Sequence, residues 1–485
     1  MKPYHPVPVG RRALLPCLLV VSLASQAQAA DLLTITRDAI DNNATLASAR
    51  AQYGSVEAGR DVEQGDLLPQ LTASGQVAHN RQYESQRSSL AAGGAGSSGE
   101  SDDSYNSAAL SLEATQALFD AANSAEVDQA ERRIDQQTYQ LAATEQQVLI
   151  DVASAYFDIL RAYEILEARR AQERAIGRQL EQAQEQFDVG LIAITEVEEA
   201  RASYDQSRAE RIAAESDLQV SFEALERLTG ERYESIDALQ ETMPVTPPEP
   251  SDRDSWVDLA MDNSPLVLAS QAGVEVSRSG VDISQAQRLP VVQAFANYDY
   301  ADADQDGIEG HSSSSQVGVG VSLPLYTGGR TSAGIRQSTY SLEASQYDFE
   351  DQRRQTIQQV RSLYTQVSND VATVEARAQA IVSNQSALDA TRAGYEVGTR
   401  NIVDVLNAEQ SLYDAIADHA DARFSYVIDL LTLRQQSGTL NVEAIESIND
   451  WLADDQSVYL TLPDAREGGR YDEAMDIGAP PQPES

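Results

Sequence analysis

The chain has 485 residues, a formal charge of −41 and one cysteine, Cys17. A polyanion of this kind repels anionic lipid surfaces and nucleic acid, and nucleic acid is not an expected partner. A lone cysteine excludes disulfides within the chain and clustered thiolate metal ligands.

Lys2 is the only lysine, and its acidic excess suits solvated helices, a salty environment or a cation-attracting interior equally well. Lys2, Arg11 and Arg12 precede the apolar run Ala13 to Ala24 and the tripeptide Ala27-Gln28-Ala29. This reads as a secretory signal over residues 1–29, cut before Ala30. The apolar run is short for a membrane anchor. Because Cys17 lies inside it, the mature chain is expected to lack cysteine, and catalytic thiols with it. No later stretch reaches the ~18 consecutive apolar residues a membrane helix requires. Membrane strands stay open, since a β-barrel hides its apolar face in alternation.

Residues 32–66 read as helical, and D-A-I-D-N-N-A-T-L (Asp38 to Leu46) has a counterpart in D-L-A-M-D-N-S-P-L (Asp258 to Leu266). Pro69 and Pro290 end these helical stretches and start extended ones. From Leu71 the pattern has period two. Leu71, Ala73 and Val77 fall on one side, Thr72, Ser74, Gln76 and Asn80 on the other. A Gly/Ser-rich loop (Leu90 to Glu100) leads to a return strand ending near Leu118 and Phe119. The second copy alternates at Val292, Ala294, Ala296, Tyr298 and Tyr300. An acidic loop (Asp302 to His311) follows, then Val317, Val319, Val321, Leu323 and Leu325. Four strands cannot close a barrel, and an open edge is not viable in a bilayer. Membrane strands would have to be pooled, eight from two chains or twelve from three.

Each hairpin precedes a very long helical pattern, Ala121 to Phe187 and Ser332 to Tyr395, which at ~1.5 Å per residue reaches about 100 Å. Val127, Ile134, Leu141 and Val148 recur every seven residues. After a four-residue shift the series resumes at Val152, Ile159, Leu166, Glu173, Leu180 and Phe187. The second copy reads Val360, Val367, Val374, Ile381, Leu388 and Tyr395. This spacing keeps an apolar seam on a neighbouring helix, and the shift locally unwinds the supercoil. Return arms run from about Thr195 to Thr229 and Asn401 to Gln436, ending at Gly230 and Gly438. The reversals are F-D-V-G-L-I-A-I-T-E-V from Phe187 and Y-E-V-G-T-R-N-I-V-D-V-L from Tyr395. Gly190 and Gly398 supply the positive φ that a sharp reversal requires. A proline-rich linker occupies 243–254, and the Pro- and acid-rich tail 463–485 is expected to be disordered.

The signal, the duplicated order of helix, hairpin, long helix, turn and helix, and both turn motifs resemble the TolC family of outer-membrane efflux and secretion ducts. L-S-L-E-A-T-Q-A-L-F-D (Leu110 to Asp120) and V-S-L-P-L-Y-T-G-G-R (Val321 to Arg330) resemble its strand-to-helix junctions. The resemblance covers nearly all of the mature chain. It implies a mainly α fold with a membrane β-barrel. Three chains would give a twelve-stranded barrel in the outer membrane above a barrel of long antiparallel helices in the periplasm. The repeats would span 30–242 and 255–442, with an equatorial helical segment at 443–462. The implied partners are two further copies, outer-membrane lipid, a periplasmic adaptor and an inner-membrane pump of RND, ABC or MFS type. No cofactor and no catalysis are implied.

By the same resemblance, Gly190, Leu191, Gly398 and Thr399 would dock the adaptor. Asp404 and Asn407, three apart on one helix face, would form the pore constriction. The family carries two carboxylates there, and Asn407 departs from it. Tyr395 and Arg400 would latch the closed tip against Thr195 and Glu196, where the family has Thr-Asp. Other candidates are weaker. Asp302 to Gly307 resembles the start of a calcium loop, but its twelfth position is Ser313 rather than Glu. Gly93, Gly94 and Gly96 lack the lysine of a phosphate loop. His79, His311 and His419 lack ligand spacing. No nucleophile–base set emerges, which argues against an enzyme. The rival is a soluble periplasmic coiled-coil adaptor or scaffold, although such a protein has no need of two alternating hairpins at matched places.

Overall fold

Two short polar residues set the first joint of the chain. Asp31 accepts from the Thr34 amide and opens α1 (Leu32–Asn42); Asn43 ends α1 and caps α2 (Ala44–Gly65), accepting from the Thr45 and Leu46 amides. Such side-chain oxygens satisfy amides that a helix start leaves orphaned. This is a computed structural model, and it describes residues 29–85, 100–240, 243–304 and 310–460. The signal segment before Ala29, the glycines of the first hairpin loop, the end of the calcium-like stretch and the tail 463–485 lie outside the described residues.

β1 (Gln70–Ser85) and β2 (Glu100–Phe119) form the first hairpin. α3 (Ala121–Asp188) follows, capped by Asp120, and α4 (Ile194–Thr229) returns to a left-handed Gly230. After β3 (Ser235–Leu239), the second copy repeats the order. It comprises α5 (Arg253–Asn263), α6 (Pro265–Ala286), β4 (Val291–Ala303), β5 (Gly310–Ser322), α7 (Arg330–Glu396) and α8 (Ile402–Gln436). The linker therefore ends two residues before 254, because Asp252 already caps α5 through the Ser255 amide.

The four hairpin strands make one antiparallel sheet in the order β1-β2-β4-β5. Its register aligns Leu71, Ala114, Ala296 and Val317 in one row, with Ala73, Leu112, Tyr298 and Ser315 in the next row of that face. The intervening row, on the opposite face, is Thr72, Glu113, Asn297 and Gln316. Successive residues point to opposite faces, so the sheet is apolar on one side and polar on the other. The apolar side is uncovered, with Leu71, Val77 and Val317 at 77%, 84% and 83% exposure. Among the described residues, no strand pairs with the outer edge of β1 or β5. No helix among them is long and apolar enough to cross a membrane.

The core lies at the far end of the sheet-proximal helices, around the four-residue shift in α3. Val148, Leu149, Ile150, Val152, Tyr156 and Phe157 are buried there against α1, α4 and α8. The local unwinding turns a second stripe of α3 inward, which explains why so broad a belt packs at this level. Tyr156 and Tyr426 bury their rings and donate to the Asp237 and Thr246 carbonyls at 2.6 and 2.8 Å. By contrast, the buried residues of α7 are Thr356, Val360, Val367, Val374 and Leu388, essentially a single seven-residue seam.

The expected helical segment at 443–462 is helical only in its first half. α9 (Val442–Asn449) ends at Asp450, and β6 (Leu452–Tyr459) then pairs antiparallel with β3. Val458 is buried while Tyr459 is exposed, the alternation of a strand with one covered face. Pairing satisfies backbone groups that run over the core, and Ala30 adds a bridge to Ile236 on the other side of β3.

Candidate functional site: the two turns of the long helices

Both reversals have the same backbone. Gly190 and Gly398 each have φ 76°, a left-handed conformation that glycine adopts without Cβ strain. Gly190 donates to the Phe187 carbonyl at 2.8 Å and Gly398 to that of Tyr395 at 2.9 Å. Leu191 and Thr399 then donate to Gln186 and Gly394. These bonds satisfy carbonyls that the helix ends leave free. Leu191 is 74% exposed, as are Val189 (70%) and Val397 (74%), so each turn presents bare apolar side chains.

The helices that leave the turns start differently. Asn401 accepts from the Asp404 amide at 2.8 Å while Asp404 accepts from the Asn401 amide at 3.3 Å, a full capping box for α8. α4 starts from Ala193, whose side chain makes no cap bond. Arg400 lies 3.8 Å from Asp404 and runs back over Gly394, where an added Cβ would sit 2.8 Å from the Arg400 Cγ. Thr399 donates its hydroxyl to the Gly394 carbonyl at 3.0 Å. Gly394 is thus a glycine of close approach. It sits in T-R-A-G-Y-E, inside a helical pattern, where an isolated glycine signals a packing reason.

Tyr395 joins the two coils. Its ring packs on the Ile176, Ala183, Val197, Ile402 and Leu406 cluster and also on Leu388 and Val405. Its hydroxyl donates to Gln186 Oε1 at 3.0 Å. Burial pushes the Tyr395 hydroxyl above its ordinary pKa, and the nearby Glu196 carboxylate adds to the rise. The structure therefore brings Tyr395 and Glu196 together, and within one chain Arg400 faces Asp404. Thr195 is exposed in the first turn of α4, and Asn407 is exposed one turn beyond Asp404 on α8.

Polar bonds tie α3 to the second coil along its length. Gln147 meets Gln435, Glu164 meets Arg423, and Arg161 meets Asp421. Nearer the turns, Arg169 meets Asp414 at 2.6 Å, Gln179 meets Glu409 at 3.1 Å, and Gln186 meets Tyr395. Glu409 is fully buried, with Arg392 Nη2 at 2.7 Å from Oε1. Its Oε2 and the Arg392 Nε are sealed from solvent without a bonding partner among the described residues. A buried charge held by few bonds is costly to uncouple. Sequence reasoning missed this node, although Glu409 falls in the apolar spacing of Val405, Leu412 and Ile416. The Tyr413 hydroxyl, half-buried beside it, is raised by burial and by Glu409, against the opposing pull of Arg178, Arg392 and Arg174.

The histidines lie apart from the turns. His79 bonds Asn106, His311 stacks on Tyr300, and His419 is held below its ordinary pKa by burial and by Arg423. Among the described residues, no group of three or more His, Cys, Asp or Glu side chains is placed to hold a metal.

The model of the outer membrane efflux protein family matches residues 35–231 and 256–439, one match in each copy. Outer membrane protein TolC of Vibrio cholerae serotype O1 is 32% identical over 434 residues, covering 88% of this chain and 95% of that protein. The alkaline protease secretion protein AprF of Pseudomonas aeruginosa is 32% identical over 306 residues, 62% of this chain and 64% of its own. A crystal structure of CusC superposes with a TM-score of 0.70 at 16% identity, covering 89% of this chain and 99% of that one. At that identity the likeness establishes the fold, an α-barrel with a β-barrel. The two repeats, the sheet and the paired turns therefore have one source: the chain belongs to the outer membrane efflux protein family.

Proposed function

We propose that three copies of this chain form the exit duct of a tripartite efflux or type I secretion system. The protein is an outer-membrane channel with a large periplasmic part. In the proposed assembly, three four-stranded sheets close a twelve-stranded barrel in the membrane, and the long helices continue it as a periplasmic tube. The sheet carries this reading. It has an uncovered apolar face, a polar face and, among the described residues, two unpaired edges, which three copies would turn into an outside, a lumen and closed seams. AprF, among the relatives, extends the cargo class to secreted proteins. Transport needs no chemistry from the chain itself.

In this reading the turns are the regulated end. The exposed Leu191, with Gly190, Gly398 and Thr399, docks a periplasmic adaptor that links the duct to an inner-membrane pump of the RND, ABC or MFS type. Asp404 from each copy narrows the pore, with Asn407 as a neutral second ring. Three facing carboxylates repel, and a bound cation relieves that repulsion. Arg400, already beside Asp404, and Tyr395 latch the closed end against Thr195 and Glu196 of the return helix α4. Insertion of the purified protein into a planar bilayer is expected to give discrete conductance steps that divalent cations reduce. A protein that gives no steps, although it fractionates as folded trimers, would overturn the duct.

A further inference from the structure

A second acidic feature lies well above the turns, between α7 and α8. Asp370 of α7 and Asp429 of α8 lie across the same seam, because Gln366, one turn before Asp370 on α7, bonds Asp429. Asp370 Oδ2 is sealed from solvent and, among the described residues, has no donor. Asp429 Oδ2 accepts from the Gln366 side chain at 3.0 Å. Two ionised carboxylates are acceptors only, so they cannot bond each other unless one carries a proton.

The surrounding groups do not supply the missing positive charge. On α7, Arg361 is engaged by Asp254 of α5, and Arg377 by Asp418 of α8. On α8, Arg423 is engaged by Glu164 of α3, and Arg434 reaches Ser447 of α9. Arg161 of α3 is held by Asp158 and Asp421. Ser368, Thr373 and Thr432, the neighbouring hydroxyls, donate to the carbonyls of their own helices.

We propose that Asp370 and Asp429 share one proton and so form an acid-tightened clamp between α7 and α8, a pH-responsive joint in the second coil. Burial and the facing Asp429 carboxylate push Asp370 up to about 6, and burial raises Asp429 as well. A carboxyl whose pKa is higher in the closed coil than in the open one binds its proton on closing. The stabilisation is fully present below the ordinary carboxylate range and is lost as pH rises through about 6.

Hydrogen exchange on the full-length trimer tests the clamp, read over residues 366–374 and 425–433 and corrected for the intrinsic pH dependence of exchange. Opening of these segments is expected to be about tenfold more frequent at pH 8 than at pH 5. Asp370→Asn, which keeps the shape and donates an N–H to Asp429, should hold both segments at their pH 5 protection at either pH. Asp429→Asn should do the same and serves if the first variant assembles poorly. Protection that does not change with pH in the wild type overturns the clamp. So does a wild-type pH dependence that survives in both variants.

Discussion

The two turns share a backbone and differ in what fixes it. At Gly398 the capping box of Asn401 and Asp404, the guanidinium of Arg400 and the close approach over Gly394 hold the start of α8. At Gly190 the same hydrogen bonds reverse the chain, but α4 starts from an alanine without a side-chain cap. The two copies thus share the reversal, and the side-chain cap is found at the second. A carboxylate at the third position of a helix is stabilised by the amides and the dipole of that end. Asp404 therefore has a structural task in each chain besides the role proposed for it in the pore.

The largest effect expected from breaking this asymmetry lies at its deepest anchor. Among the described residues, Arg392→Met leaves the buried Glu409 with Gln179 to bond, and should cost about 3 kcal/mol of stability in denaturant unfolding. A loss within error of zero would mean that the Arg392–Glu409 pair does not hold the coil. Replacing either turn glycine by alanine imposes the same left-handed φ on a residue with a Cβ. Gly190→Ala and Gly398→Ala should each cost ~1 kcal/mol, and near-equal costs would confirm that the turns differ in their caps and not in their backbones. Asn401→Ala removes the box and should cost about 1 kcal/mol, read as faster exchange confined to the first turn of α8. The converse variant, Ala193→Asp, supplies the missing cap and should stabilise the first turn of α4 by ~0.5 kcal/mol. No gain there would mean that α4 is held by other contacts.

Much of this molecule was legible from period alone. Seven-residue spacing marked α3 and α7, period two marked the hairpins, and glycine marked the reversals, because each pattern reflects the burial of one face. The four-residue shift at Val148 to Val152 was visible too, although not that it would gather α1, α4 and α8 into the core. What stayed hidden depends on pairing between distant segments. β3 and β6 are five and eight residues long, so their alternation is too brief to stand out, and only their mutual pairing makes them strands. Glu409 reads as a solvated acid until Gln179 and Arg392 close around it. Asp370 and Asp429 belong to different helices, and nothing in either stretch announces the other. At the turns, residue types pointed to a charged latch, while the rotamer of Arg400, directed at Asp404 within the chain, follows from the packing over Gly394.

The central claim is that the duct is closed at these turns and held there by Arg400. Single-channel conductance of Arg400→Ala in planar bilayers, against the wild type under identical salt, tests it most directly. A larger conductance is expected in the variant, with the divalent-cation block retained because Asp404 is intact. A closed-state conductance unchanged from the wild type would contradict it.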